Sequence, residues 1–253
     1  MSGVSGKITL VTGGGSGIGK ATALLFGKNG AKVVIANRTV ETGEATANEI
    51  IANGGEAIFI QADLSKTDSI QNLFKKIIDK YGRLDAAFNN AGIAGSLANT
   101  IQCTEEDWDI AMNINLKSVW LCMKYEIEQM LKQETGGAIV NTASAAGLVA
   151  LPGAAAYAVA KHGVVGLTKT AAIEFVKQNI RVNCVCPSFV GTPLTMAVNA
   201  AYPEFVQAAF ALQPIGRVGT PEEIANSVVW LCSDEASFTT GCALAIDGGY
   251  VAQ

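Results

Sequence analysis

Short apolar, β-branched runs alternate with amphipathic stretches along almost the whole chain. ITLVT at 8–12, KVVIAN at 32–37 and EAIFIQ at 56–61 carry apolar side chains on adjacent positions, as strands covered on both faces do. Between and after them, helical periodicity predicts helices over 18–29, 41–53 and 67–80. AAFNN at 86–90 predicts a fourth strand, 105–132 one or two helices, and GAIVNTA at 137–143 a fifth strand. A long helix follows from about Tyr157 to Lys177, then the strand IRVNCVC at 180–186. A helix from Pro221 to about Cys232 precedes a short strand near Ala243 to Ile246. Seven strands separated by helices predict an α/β fold, a mainly parallel, doubly wound sheet with helices on both faces.

No linker divides the 253 residues, so one domain is expected throughout. The segment from Thr192 to Gly219 breaks the rhythm. It has helical patches, no obvious strand, and Pro193, Pro203 and Pro214, and it reads as a lid at 192–219 over the carboxyl ends of the strands.

Only 16% of residues are charged, well below the roughly 25% usual for globular proteins. Residues 136–160 hold no Asp, Glu, Lys or Arg, a length that could cross a bilayer. Gly136, Gly137, Asn141, Thr142, Ser144, Gly147, Pro152 and Gly153 interrupt it, so it reads as strand, loop and helix start, with no membrane span. The net charge of −4 leaves no surplus for a nucleic-acid backbone. Six scattered cysteines and no export signal point to a reducing, cytoplasmic setting. Cys184 and Cys186 alternate along one strand and read as core packing, with no metal site.

TGGGSGIG at 12–19 sets Gly13, Gly17 and Gly19 at the first strand-to-helix junction. Glycine there permits a tight turn and lets a pyrophosphate approach the backbone at a helix N-terminus. The spacing departs from G-x-G-x-x-G and lacks the P-loop Lys. Its position favours a dinucleotide site in a Rossmann-type sheet. Where a carboxylate would take the ribose hydroxyls, the second strand ends in Asn37 and Arg38. An arginine there suits a 2'-phosphate, which predicts NADP (NADPH) over NAD, with Glu41 as the alternative partner for the ribose. Asp63 after the third strand is a candidate for the adenine amino group, and Asn90, Ala91 and Gly92 for the middle of the cofactor.

YAVAK puts Tyr157 and Lys161 four residues apart, on one helical face. A nearby ammonium favours the phenolate, so the pair is able to exchange a proton with a carbonyl or alcohol oxygen. Ser144, just past the fifth strand, is placed to donate a hydrogen bond to that oxygen. A serine-nucleophile triad is disfavoured, because no G-x-S-x-G surrounds Ser144. The single histidine, His162, adjoins Lys161 and turns to another side of the helix, where it reads as structural or surface.

TGGGSGIG, NNAG at 89–92, Ser144, and Tyr157 with Lys161 together resemble the short-chain dehydrogenase/reductase family over nearly the whole chain. The likeness implies that Tyr157 is the acid/base, that Lys161 binds the nicotinamide ribose and lowers the tyrosine pKa, and that Ser144 stabilises the reacting oxygen. It implies that Asn115, rather than Asn113, holds a relay water. CPSFVGTP at 186–193 resembles the family's segment in which Pro187 and Thr192 flank the nicotinamide, with Ser188 where glycine is commonest. By the same likeness Ser16, Ile18, Leu64 and Val190 join the cofactor contacts, and Asn37 with Arg38 resembles the NADP-preferring carbonyl reductases. Homotetramers built on paired long helices, near 116–132 and 157–177, are also implied.

Between Thr192 and Gly216 there is no Lys or Arg and one acidic residue, Glu204. A pocket lined by it should favour a neutral, partly apolar ketone or secondary alcohol. The leading reading is an NADP-dependent carbonyl reductase, reversibly a secondary-alcohol dehydrogenase. A reductase of 3-oxoacyl thioesters would gain from a basic patch, to which Arg217 could contribute. A silent NADP-binding sensor or scaffold would need no Asn115, Ser144, Tyr157 and Lys161 together.

Overall fold

The computed structural model describes residues 2–133 and 135–253. One parallel sheet of seven strands forms the centre, in the order β3-β2-β1-β4-β5-β6-β7. The strands are β1 (Ile8–Thr12), β2 (Lys32–Asn37), β3 (Glu56–Gln61), β4 (Ala86–Asn89), β5 (Gly137–Thr142), β6 (Ile180–Pro187) and β7 (Ala243–Ile246). The helices are α1 (Gly17–Lys28), α2 (Val40–Ala52), α3 (Thr67–Tyr81), α4 (Glu105–Met112), α5 (Ser118–Lys132), α6 (Ala155–Phe175), α7 (Pro193–Ala201), α8 (Pro203–Ala211) and α9 (Pro221–Cys232).

Adjacent apolar positions in a strand serve opposite faces, which is why the runs lack alternation. Leu10 and Val34 pack with Leu73, Ile77, Met123 and Val164 of α3, α5 and α6. Their neighbours Val11 and Ile35 pack with Phe26, Ile50 and Val228 of α1, α2 and α9. In α3 the buried residues Ile70, Leu73, Phe74 and Ile77 recur at helical spacing, and Gly82 stops the helix with φ 71°. Thr220 and Glu223 close a capping box on α9, with Pro221 in its first turn.

Three boundaries differ from the sequence expectation. The 105–132 region is two α-helices joined by a π-helical turn, Asn113–Lys117. The long helix starts at Ala155 and gives way after Phe175 to a tight turn over Val176–Gln178. The fourth strand ends at Asn89, because Asn90 turns into the cleft to bond Thr12 and Gly13. The excursion after β6 holds α7 and α8, each opened by a proline, and one isolated bridge from Val190 to Gly219.

The chain winds from β1 outward to β3, then returns past β1 to β4 and continues to β7. The winding reverses between β1 and β4, which opens a crevice at their carboxyl ends.

Under β4 lies a buried polar chain. Asn89 Nδ2 donates to Glu126 Oε2 and to Asn141 Oδ1, both at 3.0 Å, and Asn141 Nδ2 donates to Thr168 Oγ1 at 2.9 Å. Burial lifts the Glu126 carboxyl from 4.5 to about 8, partly opposed by the Asn89 bond. Among the described residues the acceptors Asn89 Oδ1 and Glu126 Oε1 have no hydrogen-bond partner, and protonation of the carboxyl adds a donor to this buried group. Its folded-state pKa exceeds the unfolded value, so between these two pKa values the folded protein holds the extra proton. Stability from this group is therefore full at low pH and is lost as pH rises toward 8. Glu126→Gln should flatten that decline in denaturant midpoints measured across this range; an unaltered slope would place the titration elsewhere.

Candidate active site

The glycine turn occupies this crevice. Gly13 and Gly17 have φ of 64° and 51°, which favour glycine. A Cβ on Gly19 would stand 2.2 Å from the Gly13 carbonyl oxygen and 2.6 Å from Asn90 Nδ2. A Cβ on Gly13 would stand 3.0 Å from Ala91 Cα, so any side chain at either position would fill the cradle. Thr12 Oγ1 accepts from the Asn90 and Ala91 amides at 2.9 and 3.2 Å, tying the strand after β1 to that after β4. Ser16 is exposed at the start of α1 and makes no side-chain cap bond, while Ile18 packs against the core below.

At the end of β2, Asn37 Nδ2 donates to the Thr39 carbonyl at 2.9 Å and to Thr42 Oγ1 at 2.8 Å. A Cβ on Gly15 would come within 2.6 Å of both Asn37 Nδ2 and Thr42 Oγ1, so Asn37 braces the turn. Arg38 is exposed, and no ion pair or side-chain hydrogen bond holds its guanidinium among the described residues. Glu41 is likewise exposed, in the first turn of α2. Asp63 Oδ1 accepts from the Ser65 hydroxyl at 2.7 Å, which holds its carboxyl below the usual value. Leu64 beside it packs on the core.

Across the crevice, Ser144 caps the short turn after β5, accepting from the Ala146 amide at 3.1 Å. Gly147 in that turn lies against α6, where a Cβ would meet the Lys161 carbonyl oxygen at 2.7 Å. This close approach sets Ser144 and Tyr157 on the same cavity wall. Lys161 Nζ donates to the Thr142 carbonyl at 2.8 Å and lies 5.6 Å from the centre of the Tyr157 ring. A Cβ on Gly92 would sit 2.8 Å from Asn115 Oδ1 and 3.7 Å from Lys161 Nζ, so Gly92 links the two. Asn115 is fully buried in the π-helical turn, its amide bonded twice to Ile93, from the Ile93 N–H at 2.9 Å and to its carbonyl at 3.0 Å. Asn113 points elsewhere, donating to the Ser65 carbonyl at 3.2 Å.

Burial raises the Tyr157 phenol above 10, with the Ser144 bond pulling the other way. The same desolvation lowers Lys161 to about 8. For the phenol, burial is the larger of the two causes. His162 is exposed, with Nδ1 2.9 Å from the Ala158 carbonyl oxygen of its own helix.

A cavity of about 120 Å³ opens beside Tyr157 and Ser144. Leu97, Leu151, Leu194, Val198 and Phe205 are among its apolar walls, the last three of them from the excursion after β6. Pro187 ends β6, and its carbonyl accepts from Ser144 Oγ at 3.5 Å. Thr192 caps α7 and faces Gly17, whose Cβ would lie 3.1 Å from Thr192 Cγ2. Val190 is buried beneath. Sequence reasoning missed Gln213. Its Oε1 accepts from Ser188 Oγ at 2.6 Å and from the Phe189 amide at 3.2 Å, and its Nε2 bonds the Arg217 carbonyl. An amide inside a nearly charge-free stretch was the available signal. Arg217 is paired with both Glu223 oxygens, at 2.9 and 2.6 Å.

A doubly wound parallel sheet with a glycine-lined crevice at its reversal point defines a dinucleotide-binding α/β protein. Residues 13–251 match the family model described as enoyl-(acyl carrier protein) reductase. Cyclohexanol dehydrogenase of Acinetobacter sp. is 42% identical over 98% of this chain and 96% of its own length. The 2,5-dichloro-2,5-cyclohexadiene-1,4-diol dehydrogenase of Sphingobium indicum is 43% identical over 100% of both chains. A 3-oxoacyl-(acyl-carrier-protein) reductase of Thermotoga maritima is 41% identical over 98% of this chain and 99% of its own. The crystal structure of levodione reductase superposes with a TM-score of 0.93 at 34% identity, covering 98% of each chain. The chain belongs to the short-chain dehydrogenase/reductase family. It is an oxidoreductase that uses a nicotinamide cofactor. Among the described residues no helix is long and apolar enough to cross a membrane.

Proposed function

We propose that this protein interconverts a neutral, partly apolar ketone and its secondary alcohol with NADP(H). The observation that carries the proposal is the meeting of Tyr157, Ser144 and Lys161 between the glycine crevice and an apolar cavity.

The cradle formed by Gly13, Gly17 and Gly19 against Asn90, Ala91 and Gly92 fits a dinucleotide. Ser16, Ile18, Asn37, Asp63, Leu64, Pro187, Val190 and Thr192 are assigned to the cofactor on the likeness of their segments to the family pattern. The exposed guanidinium of Arg38 suits a 2'-phosphate. When bound, the nicotinamide exchanges hydride with the substrate carbon. In reduction, Tyr157 Oη gives its proton to the substrate oxygen, and in oxidation it takes that proton back. Ser144 Oγ hydrogen-bonds the same oxygen. The Lys161 charge stabilises the phenolate left behind, and its lowered pKa makes its proton readily exchanged. The Asn115 side chain is committed to Ile93, so its part in a proton relay falls to its main-chain carbonyl in the widened turn.

The family description and the Thermotoga relative favour a second reading, reduction of 3-oxoacyl thioesters. Against it, Arg217 is neutralised by Glu223, and 192–216 contributes no other cation. Comparing kcat/KM for neutral cyclic ketones and 3-oxoacyl thioesters with NADPH separates the readings. The ketone should be favoured at least about tenfold, about 1.4 kcal/mol in transition-state binding; a thioester preference would select the second reading. The exposed apolar residues Trp120 and Leu131 on α5, with Val159 and Ile173 on α6, support a homotetramer through these helices, testable by light scattering.

A further inference from the structure

The cavity wall carries hydroxyl groups besides those of the proposed reacting pair. Ser188 Oγ lies 2.6 Å from Gln213 Oε1 and 2.9 Å from the Asp247 carbonyl oxygen, so its one proton is committed to the protein. Thr195 Oγ1 is 3.1 Å from Thr192 Oγ1. Tyr250 differs. Its side chain lines the cavity with Tyr157 and Ser144, it is only 9% exposed, and its ring rests 6.4 Å from that of Phe189. No hydrogen bond to its hydroxyl is made among the described residues, and that oxygen is not sealed off as an enclosed orphan. A tyrosine so deeply packed on the cavity wall, with a hydroxyl that no group among the described residues holds, offers a polar point on an otherwise apolar surface.

We infer that Tyr250 is a specificity-determining residue whose hydroxyl binds a second neutral oxygen of the substrate, so that ring diols and hydroxyketones are preferred over simple ring alcohols. This rests on the reading of the cavity as the substrate site and refines its substrate class. The second oxygen would otherwise be stripped of water against Leu97, Leu151, Leu194 and Phe205 without a partner. A site built to bond a hydroxyl discriminates against the analogue lacking it, because its own polar group is then left unpaired. The chemistry asks for a neutral group, since no cation lines the cavity to balance a carboxylate. The 43% identical Sphingobium relative is named for a ring diol, and the Acinetobacter relative for a monohydric ring alcohol, so the discriminating group must be tested in this chain.

The test is equilibrium binding to the NADPH-loaded protein, in which an alcohol and a reduced cofactor cannot react. Dissociation constants are measured by calorimetry for cyclohexanol and for the cyclohexane 1,2-, 1,3- and 1,4-diols, with wild type and Tyr250→Phe. Wild type should bind at least one diol about fivefold more tightly than cyclohexanol, and Tyr250→Phe should bring that ratio for the same diol down to about one. Absence of any diol preference in wild type, or its retention in Tyr250→Phe, overturns the inference. Turnover of the same alcohols with NADP is measured in parallel. A preference erased by Tyr250→Phe in a protein that turns over none of them would uphold the binding role while removing the proposed activity.

Discussion

Tyr157→Phe should reduce ketone turnover by about two to four orders of magnitude and leave NADPH affinity within about twofold. The substitution removes one oxygen and keeps the ring, so the packing of α6 against the turn after β5 survives. The lost atom is the hydroxyl oxygen of a residue that lines the cavity with Ser144. Lys161 keeps its bond to the Thr142 carbonyl at 2.8 Å, which preserves the neighbouring crevice. Steady-state rates paired with fluorescence titration of NADPH separate the two effects. Full turnover in Tyr157→Phe would refute the proton-transfer role, and a parallel collapse of cofactor binding would make the residue structural.

Arg38→Ala should weaken NADPH by about 10- to 100-fold and leave NADH nearly unchanged, because charge-assisted bonds to a phosphate contribute about 1.5–3 kcal/mol. The guanidinium is exposed and its charge acts on the Asp63 carboxyl without an ion pair among the described residues, so its removal leaves no buried charge behind. Asn37 should respond differently. Its amide braces Thr39 and Thr42 against the glycine turn, so altering it would disturb both cofactors. Dissociation constants for NADPH and NADH give the comparison. An unchanged ratio in Arg38→Ala would remove the phosphate role and shift attention to Glu41 and the ribose hydroxyls.

The central strands are legible in the sequence because they are buried on both faces, as β1, β4 and β6 are along their whole length, and continuous apolar runs spaced by helices suit little but a covered parallel sheet. Helix ends are legible where a cap announces them, as Thr220, Pro221 and Glu223 do for α9. The π-helical turn at Asn113–Lys117 is not, since no residue type marks a widened turn and only the fixed position of Asn115 beside Ile93 shows its use. Spacing along one helix is enough to pair Tyr157 with Lys161. It carries nothing about their surroundings, and desolvation of the phenol depends on what packs around the ring. Gln213 and Tyr250 are also hidden. Each lies far along the chain from Ser144, and only the fold brings the segments after β6 and β7 to one cavity. The scarcity of charge belongs to buried strands and to the excursion after β6, and the structure adds the apolar walls that this excursion contributes.

The central claim is that this cleft moves hydride between NADP(H) and a neutral secondary alcohol or ketone. The most direct measurement follows the near-ultraviolet absorbance of reduced nicotinamide after the protein is mixed with NADP and a ring alcohol, with NAD in a parallel series. Enzyme-dependent appearance of NADPH, with kcat/KM at least about tenfold higher for NADP than for NAD, is the predicted result. No reduction of either nucleotide across neutral ring alcohols, and no oxidation of NADPH by the matching ketones, would contradict it.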